Sequence, residues 1–168
     1  MFIKKIAKLI APILNSLNYL TPLGDLLARL WVAKIFLQSG LVKIENWQST
    51  VNLFTYVYHV PLISPNFAAV LGTSAELILP VMLILGLGGR ITILIFFFYN
   101  IMCVVSYNFL WTPQGTVGLD QHLNWGLLLM LLMFHGSGKL SLDNWLFKRH
   151  GHHMNIDRRI NAVTTTDK

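Results

Sequence analysis

The chain has 168 residues, of which 54% are hydrophobic and only 12% charged, and its formal net charge is +6. A water-soluble domain of this length lacks the polar residues to cover so much apolar surface, so the composition excludes an ordinary soluble enzyme and makes lipid the solvent. The positive charge does not indicate nucleic acid. Lys4, Lys5 and Lys8 gather at one end and Lys148, Arg149, Arg158, Arg159 and Lys168 at the other, the placement that anionic inner membrane surfaces select.

Residues 3–20 place Ile6, Ile10, Ile13, Leu14 and Leu17 at helical spacing, with the three lysines mainly elsewhere. That pattern predicts an amphipathic helix lying on the inner leaflet. The competing reading, a signal peptide, lacks a small-residue cleavage site. Four apolar stretches follow, each long enough to cross a hydrocarbon core: about 23–42, 66–87, 91–110 and 119–138. Ser64-Pro65-Asn66, the Gly86–Arg90 turn and Thr112-Pro113-Gln114-Gly115 punctuate them. Between the first two, Trp47, Phe54, Tyr56 and Tyr58 predict a segment resting at the outer interface. The fold class is therefore an all-α membrane protein, an antiparallel bundle of four transmembrane helices. It divides into an amino-terminal segment (1–22), a membrane domain (23–146) and a basic tail (147–168). The distribution of Lys and Arg among the connections places both termini in the cytoplasm.

An ionisable group inside a bilayer is costly and needs a reason. Arg29, Lys34 and Gln38 lie in the first span, Glu76 in the second, Asn100, Cys103 and Ser106 in the third, and His122, Asn124 and His135 in the fourth. Counted from Gly24 and Gly88, Arg29 is about 7 Å deep, Lys34 about 15 Å and Glu76 about 18 Å, at about 1.5 Å per residue. Glu76 is thus expected to pair with Lys34, matched by level, or with Arg29, in an intramembrane polar site. Such a pair can equally do no more than hold the helices together. His122, beside Asp120, Gln121 and Asn124, stands at the predicted outer mouth, where it can bind a quinone carbonyl, shuttle a proton, ligate a metal or only bond a loop. Cys103 is the one cysteine, which excludes an intramolecular disulfide and a CxxC redox pair and leaves it as a small filler. His150, His152 and His153 form a cluster suited to weak metal capture, against the plainer reading of a solvated tail.

Arg29, Ala33, Phe36, Gly40 and Lys43 share one helical face, Gly72, Glu76 and Pro80 another, and Gly126, Leu129, Met133 and Gly136 a third. Three blocks in order, RLWVAKIFLQSGLVK, GTSAELILPVMLILGLGGR and a stretch from His122 closing on GSGKLSLD, resemble the DoxX family of small bacterial membrane proteins. Lys34 departs from the apolar residue usual there. The resemblance implies a four-helix bundle in the bacterial cytoplasmic membrane, working with a protein partner or a second copy of itself. It also implies service to quinone-linked oxidoreductases or to oxidative- and metal-stress systems, with quinone as the expected cofactor. Glu76 and Arg29 would then shape the polar site, with His122 and Asn124 at a quinone or proton site. The alternative is a non-enzymatic anchor, assembly or transport-support protein. No catalytic residue is assigned.

Overall fold

A computed structural model describes residues 2–136, 140–146, 148 and 149. Five α-helices account for most of it: α1 (Phe2–Glu45), α2 (Trp47–Tyr56), α3 (Pro65–Leu85), α4 (Gly89–Ser106) and α5 (Thr116–His135), with a short 3-10 turn at Asn108–Trp111. No strand occurs among the described residues.

Local chemistry explains the boundaries. Asn46 caps α2, its side chain accepting from Ser49 N at 3.0 Å. Pro65 occupies the first turn of α3, where its missing N–H would have had no helical partner. Gly86 ends α3 in the left-handed region at φ 66°, and Gly88 and Gly89 continue at positive φ, a backbone path that residues with a Cβ rarely follow. The chain therefore reverses within a few residues, and α3 and α4 run antiparallel.

α3, α4 and α5 are each long and apolar enough to cross a membrane. Their outward faces stay apolar: Phe98 is 57% exposed, Leu127 54% and Leu131 55%. Such surface suits contact with lipid. α1 is not among these three, because Asp25, Arg29, Lys34 and Lys43 recur along it. It is also one unbroken helix of 44 residues passing through Pro12 and Pro22, so the amino-terminal segment continues the first helix instead of forming a separate one.

α1 packs chiefly along α3, and α4 along α5. The face foreseen on α1 is the buried one: Arg29, Ala33, Phe36, Gly40 and Lys43 all point inward. Val32, Ala33, Phe36, Leu79, Leu83, Ile93, Phe96, Leu129 and Leu132 make the core. A second, smaller cluster forms where Phe54 of α2 sits on Ala68 and Ala69 of α3. The segment expected to rest at an interface is therefore in part a helix with its own buried anchor.

Candidate functional site

Glu76 faces α1 at Gly40, where the two helices are in close contact. A Cβ on Gly40 would lie 3.0 Å from that of Glu76, so only glycine lets α1 approach this near. Three residues on, Lys43 reaches back along its own helix, as side chains tilted toward the helix amino terminus do. Its Nζ donates to Ser39 Oγ at 2.7 Å and to Glu76 Oε2 at 2.6 Å. The other carboxylate oxygen accepts from the Tyr99 hydroxyl at 3.1 Å, and that hydroxyl also lies 3.0 Å from Gly72 O. Both charged residues are buried. A buried charge in such surroundings needs a counter-charge and hydrogen bonds to its remaining lone pairs, and Glu76 has both.

The ion pair forms part of the wall of a cavity of about 590 Å³. All five helices contribute: Phe36 and Ser39 from α1, Phe54 from α2, Ala68 and Ala75 from α3, Cys103 and Ser106 from α4, and His122 and Trp125 from α5. A few polar groups in a mainly apolar lining, in this size range, is the usual constitution of a small-molecule site. Leu71 of α3 and Met102 of α4 line the cavity and are also exposed, which gives it an apolar edge at the surface of those two helices. Tyr58, between α2 and α3, closes it from another side, edge-on to Phe54 at 5.1 Å and to Tyr107 at 5.2 Å. Burial, reinforced by the Glu76 carboxylate, pushes its phenol up to about 12, so Tyr58 meets the cavity as a neutral O–H at physiological pH.

His122 lines the same cavity and is tied to α4. Its Nδ1 is 2.8 Å from Asn100 Oδ1, while Asn100 Nδ2 donates to the His122 carbonyl at 3.0 Å. The imidazole stands edge-on to Trp125 at 4.8 Å and to Phe36 at 6.2 Å.

The structure corrects two expected partners of Glu76. Gly40 stands opposite Glu76, and Arg29 stands opposite Gly86, where a Cβ would meet Arg29 Nη1 at 2.7 Å. In that antiparallel register Lys34 is offset from Glu76 by about 9 Å at about 1.5 Å per residue, and it is exposed on another face of α1. Arg29, 1% exposed, sits at the far end of the molecule. Its Nη2 donates to Leu140 O at 2.8 Å and its Nε to Asp25 O at 3.3 Å, fastening the segment after α5. Asn124 is exposed and stands apart from the cavity wall. His150, His152 and His153 lie outside the described residues, and no metal-binding cluster occurs among the described ones.

The sequence pattern did not single out Lys43 or Tyr99 as partners of Glu76. The signal for Lys43 was present, since it shares the Gly40 stripe. Tyr99 stood within the apolar run IFFFYN, where a phenol that packs and bonds at once gives no separate sign.

Three membrane-length apolar helices and a charge pair buried beside a cavity define a small helical membrane protein with a polar interior site. The DoxX family model matches residues 24–108, half of the chain, and the chain belongs to that family. The match takes in Arg29, Gly40, Lys43, Gly72, Glu76 and Tyr99; His122 and the GSGKLSLD segment lie beyond it. No curated protein and no solved structure matches the chain.

Proposed function

We propose that the protein is a membrane subunit of a quinone-linked redox or stress-defence system, and that its cavity holds the quinone-class molecule. The observation that carries this reading is the cavity itself. It combines apolar walls with the Lys43–Glu76–Tyr99 cluster and the His122–Asn100 pair, and its rim at Leu71 and Met102 is apolar. A ligand dissolved in lipid, with a polar ring and an apolar tail, matches both features. In this reading α1 supplies a fourth span within 23–146, both termini are cytoplasmic, residues 1–22 extend that helix on the cytoplasmic side and 147–168 form a cytoplasmic tail. The membrane is the bacterial cytoplasmic one, and the electron donor is a partner protein. Arg29 serves this site only by fastening the opposite end.

The test is mass spectrometry of lipids that co-purify with the protein. Near-stoichiometric quinone-class molecules are expected with the wild type, and depletion with Ala75→Phe, which fills the cavity. Their absence from the wild type, or equal amounts in both proteins, rules the reading out.

A second reading is favoured by one feature: both Glu76 oxygens are already engaged within the protein, as in a carboxylate that only holds a bundle together. The chain would then be an anchor or assembly protein for a stress or metal-handling system. Under that reading Glu76→Gln lowers stability or partner capture and leaves the partner's redox rate untouched.

A further inference from the structure

Asn100 and His122 fix each other's hydrogen-bonding roles. Asn100 Nδ2 lies 3.0 Å from the main-chain oxygen of His122. A carbonyl only accepts, so the amide nitrogen has to be the atom facing it, and the amide oxygen has to be the atom facing the ring. That oxygen lies 2.8 Å from Nδ1. Two acceptors do not bond, so Nδ1 carries the hydrogen. In the neutral imidazole the other nitrogen, Nε2, is then a lone-pair acceptor. It has no hydrogen-bond partner among the described residues, and its ring is part of the cavity wall.

Tyr99 and Lys43 direct most of their hydrogens to acceptors within the protein. The single Tyr99 hydrogen lies between Gly72 O and Glu76 Oε1, so Tyr99 has none to give a ligand. Lys43 donates to Ser39 and Glu76 and retains one further N–H. The cavity therefore offers donors, the Lys43 ammonium and the Tyr58 hydroxyl among them, and at His122 Nε2 an acceptor whose role is fixed.

We infer that the cavity selects a headgroup bearing a hydroxyl, a hydroquinone or other phenol, whose O–H donates to His122 Nε2. A quinone has two carbonyl acceptors and no donor, so against Nε2 it sets lone pair to lone pair and leaves the imidazole unsatisfied in an apolar wall. A hydroquinone donates to Nε2, and its oxygens accept from Lys43. Asn100 is a positioning residue, which holds the tautomer without touching ligand. The inference rests on the cavity being a ligand site and adds which redox form it prefers.

Decyl-ubiquinol and decyl-ubiquinone, titrated calorimetrically and anaerobically into the full chain in nanodiscs, test it. The wild type should bind the quinol at least about tenfold tighter, the equivalent of one hydrogen bond. In His122→Phe the two forms should bind alike, the quinol weakened and the quinone no weaker than in the wild type. In Asn100→Leu the ring is free to carry its hydrogen on Nε2, and the preference should vanish or reverse, an outcome that loss of packing alone does not produce. Equal affinity of the two forms in the wild type, or a preference that survives in His122→Phe, overturns the inference and leaves the cavity a ligand site. Saturable binding of neither form overturns the ligand site as well. The wild-type comparison stands even where a variant fails to fold.

Discussion

Lys43 and Glu76 illustrate how one buried ion pair governs a site. Each alone is a charge in a low-dielectric interior, and the pair survives there because Ser39 and Tyr99 complete its hydrogen bonds. Removing one partner strands the other. Lys43→Met is therefore expected to destabilise the protein by about 3–5 kcal/mol, and the double variant Lys43→Met/Glu76→Gln should recover most of that loss. Unfolding in mixed detergent micelles, arranged as a double-mutant cycle, reads the coupling; additive effects would show that the pair contributes none. Lys34→Gln is the control. Lys34 is exposed, and its replacement should stay within about 0.5 kcal/mol. The sign of that contrast separates the pairing seen in the structure from the one that equal depth suggested.

At the scale of elements, the position of that pair follows from the register of α1 against α3. Gly40 meets Glu76 and Gly86 meets Arg29, so two glycines mark two levels of one antiparallel contact. Gly40→Ala is expected to cost about 1–3 kcal/mol by overpacking, because its Cβ would lie 3.0 Å from both Glu76 Cβ and Leu77 Cδ2. The same substitution at Gly24 meets nothing within 4 Å and should be neutral or stabilise by up to about 1 kcal/mol through helix propensity. Thermal unfolding of the two variants checks the pair, and equal shifts would contradict the close approach. Helical periodicity made the buried face of α1 legible, since Arg29, Ala33, Phe36, Gly40 and Lys43 recur at intervals of three and four. It could not give register. Counting depth from Gly24 assumed that α1 begins at a membrane edge, whereas the helix starts at Phe2, and it also ignored the turn by which Lys43 reaches back. α2 escaped notice for a different reason. Its ten residues are too few to show a period, and its aromatic residues gave the same signal as an interfacial loop.

For the whole molecule, the two ends differ in charge and in architecture. The cavity end is built from α2, the segment between α2 and α3, and the connection between α4 and α5. Residues 47–64 and 107–116, at that end, include no Lys or Arg, while Trp47, Tyr56 and Trp111 are exposed there. The opposite end carries Arg29, Arg90, Lys148 and Arg149. The excess of Lys and Arg at one end is expected to orient a helical protein with that end inward. The cavity would then open in the outer half of the bilayer, and a ligand entering past Leu71 and Met102 would come from the outer leaflet. Cysteine labelling in intact cells checks this orientation on a Cys103→Ser background. Gln114→Cys, exposed in the connection between α4 and α5, should react with a membrane-impermeant maleimide from outside. Arg149→Cys should react only after permeabilisation. Labelling of Arg149→Cys in intact cells, with Gln114→Cys protected, would invert the topology and move the cavity to the inner leaflet. The Lys43–Glu76 pair and the tautomer of His122 would keep their chemistry, but the ligand would have to arrive from the cytoplasmic side of the bilayer.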